Sequence, residues 1–395
     1  MNAEELKALV AAEVDSRSAD LRSLALKIHA NPELGFKEFR AAEWLASFLE
    51  ENGFSVSRGI CQLPTAFEAR YGKGRPAIAY LAEYDALPDI GHACGHNLIC
   101  AAAAGAGLGS KKAVDRLGGS VLVIGTPAEE VYGGKAIMVD RGAFEGLDAA
   151  MLVHPNNVDM ATAQALACQT LYVEFVGKSA HAAARPEAGV NALEAMLLSF
   201  AGVNSLRQHI RSNARVHGII TDGGQAANVV PAHTAGEFLV RARDDDYLDE
   251  LKERVLNCFK AGATATGAEL KYKWDEVRYA TMVNNIPMAK LYQENMRAFK
   301  RNPLLVESGE AFGSTDMGNV SHIVPTIQPY VGIGGGILIH SPEFAAAAAS
   351  ESGIRGMLDA AKAMANTAVD LMADPAIMDK VKQDFNRTKG LPRNG

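Results

Sequence analysis

The chain has 395 residues, 48% of them hydrophobic, and 39 basic against 46 acidic side chains give it a formal charge of −7. That length is too great for one ordinary core and calls for two domains. The charge steers it toward neither nucleic acid nor an anionic membrane, and no apolar segment approaches the roughly eighteen residues that span a bilayer. The five cysteines (Cys61, Cys94, Cys100, Cys168 and Cys258) are odd in number and scattered. This argues against a disulfide framework and for a reducing cytoplasm, with all but Cys94 read as ordinary buried thiols.

Helical periodicity covers about 3–30 and 37–51, broken at Asn31-Pro32. The first fifteen residues read as an acidic amphipathic helix and not as a signal peptide. The apolar run 77–81 predicts a buried strand, and directly after it come Glu83-Tyr84-Asp85-Ala86-Leu87-Pro88 and His92-Ala93-Cys94-Gly95-His96-Asn97. Three further β-rich runs end the same way. Residues 121–124 lead into Pro127-Ala128-Glu129-Glu130, 149–153 into His154-Pro155, and 337–339 into His340. Parallel strands bring their carboxyl ends to one edge, where open α/β sheets place their chemistry. The donors at these four ends therefore converge on a site with nitrogen, sulfur and oxygen ligands. Taken singly, a cysteine, a histidine or a pair of glutamates is ordinary core or loop, but structural polar residues rarely share one placement at four strand ends.

Strands and helices alternate to about residue 165, the pattern of a mostly parallel sheet, and the Ala/Gly-rich stretch 101–108 predicts a buried helix starting near Asn97. The pattern then changes. Residues 171–176 alternate like a half-exposed strand, followed by a helix near 190–210, strands near 215–222 and 235–242, a helix near 246–264 and a strand near 269–273. This is an open-faced α/β sandwich of a size suited to an inserted domain. The expected organisation is a discontinuous α/β catalytic domain of 1–167 plus 282–395, interrupted by an inserted domain at 168–281 and closing with a helix at 350–373. Gly332-Ile333-Gly334-Gly335-Gly336 has no helix start after it and reads as a flexible turn feeding His340, not as a phosphate loop.

These motifs resemble the aminoacylase-like family of dinuclear metallopeptidases (amidohydrolases), in particular the branch of auxin-conjugate hydrolases, p-aminobenzoyl-glutamate hydrolase and β-alanyl-lysine dipeptidase. The resemblance runs over nearly the whole chain. It includes Ser179-Ala180-His181-Ala182-Ala183, Asn228-Val229-Val230-Pro231, Gly313-Ser314-Thr315-Asp316-Met317-Gly318-Asn319-Val320-Ser321 and His340-Ser341-Pro342-Glu343-Phe344. It implies a mostly parallel-sheet metallopeptidase domain with an inserted dimerisation or lid domain. Two divalent ions, Zn²⁺ or Mn²⁺, would be held by Cys94, His96, Glu130, His154 and His340. Glu129 would be the general base that takes a proton from metal-bound water, and Asp85 a carboxylate that orients a ligand. His181 and Asn228 would bind substrate from the inserted domain, often across a homodimer interface, with His181 stabilising the oxyanion and Arg241 gripping a substrate carboxylate. The chain departs from classical members, which carry His-x-Asp where this one has Glu83 and Asp85, and Cys94 supplies a ligand instead. Asn97 stands where many members have Asp, and Ser341 where Thr is commoner.

The activity implied is hydrolysis of the amide of an N-acyl or N-aminoacyl amino acid or a dipeptide-like substrate. An aminohydrolase that frees ammonia from a small aromatic amine would use the same site. A binding protein with a dead site would lack ligands or base, and all are present. A thiol redox protein would need a Cys-x-x-Cys, and the chain has none.

Overall fold

The computed structural model describes residues 2–307 and 313–390. Two compact units emerge. The larger comprises Met1–Gln164, Met282–Gly309 and Thr315–Leu391, and the smaller centres on Ala165–Thr281.

In the larger unit a six-stranded sheet runs in the order β1 (Ser55–Arg58), β2 (Phe67–Lys73), β4 (Gly119–Gly125), β3 (Ala77–Ala82), β5 (Ala149–Met151), β11 (Thr326–Ile327). β4, β3, β5 and β11 are mutually parallel, while β1 and β2 add an antiparallel edge. Every residue of β3 and β4 is buried, as expected for strands covered on both faces. A separate parallel pair joins β6 (His154–Asn156) to β12 (Tyr330–Gly332).

The helix His96–Leu117 is buried through most of its length and packs against Ala3–Ser16 and Glu351–Ala373. Its Ala/Gly face permits this close approach: a Cβ on Gly109 would meet Val14 at 2.8 Å, and one on Gly105 would meet Ala361 at 3.1 Å. The periodicity read as one helix over 3–30 is two, Ala3–Ser16 and Ser18–His29, parted at Arg17, which leaves helical geometry at φ −99°, ψ 6°.

The smaller unit is an antiparallel sheet in the order β10 (Glu269–Tyr279), β7 (Ala167–Val176), β9 (His233–Ala242), β8 (Arg215–Asp222). Alternate residues of β9 are buried, and helices Ala192–Arg207 and Asp245–Thr266 pack over that face around Phe175, Phe238, Leu251 and Phe259. β10 continues to Tyr279, past the expected end near 273, with an irregularity between Trp274 and Arg278. Where the chain enters and leaves this unit its ends are tied: the Thr281 hydroxyl donates to the carbonyl of Ala165 at 3.1 Å. In the larger unit, Ala163 N–H likewise donates to Asn284 Oδ1 at 3.1 Å.

Two expectations need correcting. Residues 337–339 are not a strand, since β12 ends at Gly332 and His340 lies in a turn at φ +65°. Ile337 and Ile339 pack against the core while Leu338 is exposed, but the glycines before the run leave it without a partner strand. Cys61 and Cys258 are only half-buried, whereas Cys94, Cys100 and Cys168 are buried, and all five are free thiols.

Candidate metal centre and active site

The carboxyl ends of β3, β4 and β5 share one edge of the sheet because the three strands are parallel. β3 ends at Ala82 and delivers Glu83 and Asp85, both fully buried. The next turn carries Cys94 and His96 on either side of Gly95, which sits at φ +79°. A Cβ there would lie 2.9 Å from Pro155, so glycine lets this turn pass beside the His154 strand. Beyond β4, Ala128 takes the left-handed conformation at φ +60°, unusual for alanine, and directs Glu129 and Glu130 toward the same place. His340 approaches through its backbone, donating its N–H to the Ala93 carbonyl at 2.9 Å.

These residues close on one another. Cys94 Sγ lies 3.3 Å from His154 Nε2, His340 Nε2 lies 3.3 Å from Glu130 Oε1, and His96 Nε2 lies 3.7 Å from the same oxygen. Donor atoms of Cys94, His96 and His154 fall within 4.8 Å of one another, as do those of Cys94, Glu130 and His340, and those of His96, Glu129 and Glu130. The imidazole tautomers are set from behind. His96 Nδ1 donates to Asp85 Oδ1 at 3.0 Å and His154 Nδ1 to the Pro155 carbonyl at 2.7 Å, which turns both Nε2 lone pairs toward the centre. Asp85 also accepts the Glu130 N–H at 3.0 Å, tying two of these loops together.

The electrostatics separate the adjacent glutamates. Burial and the charges of Glu83, Asp316 and Glu130 push the Glu129 carboxyl well above the carboxylate range, with Lys135 opposing. Glu130 moves the other way: burial works against its charge, but the hydrogen bond to His340 and the charge of His96 lower its pKa. Burial keeps the His154 imidazole below its ordinary value, in the neutral form a metal ligand needs. His96 Nε2 is buried with no hydrogen-bond partner among the described residues, a costly arrangement that a divalent cation would satisfy. A thiol, three imidazoles and a carboxylate fit Zn²⁺ or Mn²⁺.

His181 and Asn228 lie in the smaller unit and are brought together there. Ala182 N–H donates to the Asn228 carbonyl at 3.0 Å, and His181 bridges to Val229. The exposed His181 accepts the N–H groups of Ala183 and Ala184 on Nδ1 at 3.2 and 3.1 Å, which caps a turn and leaves Nε2 outward. Arg241, on β9, donates to Ser314 Oγ at 3.3 Å and is paired across the sheet with Cys168 and Arg215.

Sequence reasoning gave no role to Glu38, Lys135 or Asp316. The fully buried Glu38 accepts the Ala128 N–H at 2.8 Å and the Thr65 hydroxyl at 3.1 Å, and so holds the strained residue ahead of Glu129. Lys135 is fully buried beside Glu83 and Asp316. Its available signal was its place in Gly133-Gly134-Lys135, two residues beyond the paired glutamates.

Residues 79–367 match the model of peptidase family M20/M25/M40. An Xaa-Arg dipeptidase from Mus musculus is 36% identical over 401 residues, covering 97% of this chain and 92% of that protein. A polypeptide of the p-aminobenzoyl-glutamate hydrolase of Escherichia coli (strain K12) is 31% identical, across 92% of this chain and 91% of its own length. A dinuclear metal-binding peptidase of the M20 family from Bacillus subtilis has the same fold, with a TM-score of 0.70 at 21% identity over 91% of this chain and 99% of its own.

Proposed function

Because the chain belongs to peptidase family M20/M25/M40 and is thereby a hydrolase of C–N bonds, we propose that it is a metal-dependent amidohydrolase acting on an N-acyl or N-aminoacyl amino acid, or on a dipeptide-like amide. The observation that carries this is the close approach of the donor atoms of Cys94, His96, Glu130, His154 and His340 in overlapping groups, with Glu129 beside His96 and Glu130. In this reading those five residues hold two divalent ions. The ions, when bound, lower the pKa of a water molecule and polarise the amide carbonyl.

The chain's own residues do the rest. Glu129, its pKa raised by burial and by neighbouring carboxylates, takes a proton from the attacking water and passes it to the leaving amine nitrogen. Asp85 holds the His96 ring and the Glu130 backbone, so the two ligands keep their geometry as charge moves. His181, whose Nδ1 is engaged by its own turn, offers Nε2 to the oxyanion of the tetrahedral intermediate. Asn228, beside it, binds substrate, and Arg241 takes a substrate carboxylate. The names of the two relatives, an Xaa-Arg dipeptidase and a p-aminobenzoyl-glutamate hydrolase, both imply an amino acid on the leaving side, which supports a substrate with a free α-carboxylate. We also infer a cytoplasmic homodimer that pairs through the smaller unit, whose Leu197, Leu198 and edge-strand Ile219 are exposed.

The experiment is metal analysis of protein purified without chelator, combined with product analysis on a panel of N-acyl amino acids and dipeptides. Two ions per chain and EDTA-sensitive release of an amino acid are expected. Ammonia as the product would replace this reading with an aminohydrolase. Glu129→Ala should retain both ions and lose turnover by about three or more orders of magnitude; near-normal activity would remove Glu129 as the base.

A further inference from the structure

A fourth group of donors lies beside the centre. Carboxylate oxygens of Glu83, Glu129 and Asp316 come within 4.8 Å of one another, close enough to hold a metal ion. Glu83 and Asp316 are fully buried, where bare carboxylates are strongly disfavoured unless a cation pairs with them. The chain supplies one. Lys135 Nζ lies 2.5 Å from Glu83 Oε1 and 2.7 Å from Asp316 Oδ1, and the Lys135 backbone N–H donates to Asp316 Oδ2 at 2.8 Å. Asp316 thus grips Lys135 at both ends of the residue. The backbone around Lys135 is fixed as well: a Cβ on Gly134 would fall 1.8 Å from the Pro127 carbonyl oxygen, so only glycine lets the chain turn here and send the lysine inward.

We propose that Lys135 is the resident cation of the Glu83–Glu129–Asp316 cluster, an ammonium standing where a metal ion would otherwise bind. It acts as a positioning residue for the neighbouring centre. Glu83 Oε1 and Asp316 Oδ1, two of the oxygens that would coordinate an ion there, already contact Nζ at distances that leave no room for both. The position of Glu83 has a consequence for the ligands, because its other oxygen, Oε2, lies 3.5 Å from His96 Nε2. An ammonium that pulls Glu83 toward itself keeps that carboxylate from competing for His96 or for its ion. The same charge lies behind Glu129 and steadies its carboxylate without an exchangeable ion. The proposal rests on the metal-centre reading above for the meaning of the positioning, but its metal count is independent of that reading.

The test is the number of Mn²⁺ ions per chain, by elemental analysis after equilibration with Mn²⁺, in the full-length wild type, Asp316→Asn, Lys135→Met and the double variant. Asp316→Asn should carry the same number as wild type, since no ion depends on that carboxylate; loss of one ion would overturn the proposal. Lys135→Met should gain one ion, from two to three, with kcat lowered at least tenfold, and Lys135→Met/Asp316→Asn should lose the extra ion. An unchanged count in folded Lys135→Met, with kcat within twofold of wild type, would reduce Lys135 to a space-filling residue. If Lys135→Met folds only when Mn²⁺ is supplied and the double variant does not respond to Mn²⁺, the proposal is supported. If Lys135→Met does not fold at all, the Asp316→Asn count decides. A wild type that binds no metal would end the amidohydrolase reading and leave this comparison intact, because a rise from zero to one in Lys135→Met reads the same event.

Discussion

Glu38 lies outside every motif that pointed to the site, yet its carboxylate holds the Ala128 N–H one residue before Glu129. Burial, then the charge of Asp85, pushes its pKa up to about 7 from an ordinary 4.5. A carboxyl raised in the folded state contributes stability that is complete below about 4.5 and is lost as pH rises through about 7, because the folded state holds the proton longer than the unfolded chain does. Glu38→Gln, which keeps an oxygen for Ala128 but cannot ionise, should therefore gain in Tm relative to wild type between pH 5 and pH 8. A constant Tm difference across that range would show that Glu38 does not titrate there. Glu38 and Lys135 were illegible in the sequence for one reason: a charged residue is read as surface unless its partner is known, and the partners lie 90 and 181 positions away.

The strands that deliver the site were legible because a fully apolar run followed at once by a polar cluster fits little besides a buried strand opening into a site, and β3 and β4 are such runs. The His340 turn was not. An apolar triplet looks like a strand by composition, and only the lack of a pairing partner denies it that structure. The short pair β6–β12 also depends on a contact that periodicity cannot show. Arg301 donates to Asp159 and Asp359 at 2.9 Å each and to the Gly332 carbonyl at 3.2 Å, while Asp159 accepts the Gly332 N–H at 2.7 Å. This network secures β12, and β12 pairs with the strand that carries His154. Arg301→Ala leaves the partly buried Asp159 without its cation and Asp359 with Lys362 alone, and should cost about 3 kcal/mol. Thermal unfolding should shift down by several degrees with metal content preserved below the transition, and an unchanged Tm would show the network to be decorative.

At the scale of the whole molecule, the alternation of strands and helices made an α/β catalytic unit legible, and the change of pattern after residue 165 indicated a second α/β layer structure. No helix among the described residues is long and apolar enough to cross a membrane. Assembly is where sequence says least, since an exposed leucine looks the same whether it faces solvent or a second copy. Leu198→Asp places a charge on the exposed face of the smaller unit and should convert the inferred dimer to monomer in light scattering, with the catalytic unit's metal content unchanged. A wild type already monomeric at micromolar concentration would dismiss the dimer.

The tied ends of the smaller unit bear on modularity. Thr281 meets Ala165 within that unit and Ala163 meets Asn284 within the other, so each body closes its own chain crossing with its own hydrogen bonds. To the larger fold, the hundred or so residues between are one long excursion whose endpoints are already neighbours, and loop-closure entropy grows only slowly with length. Replacing 165–281 with a short glycine-serine turn should leave a folded, metal-loading protein that has lost His181, Asn228 and Arg241. Such a chain would separate, in a single deletion, the proposed ion-holding and proton-moving residues from those proposed to meet the substrate and its oxyanion.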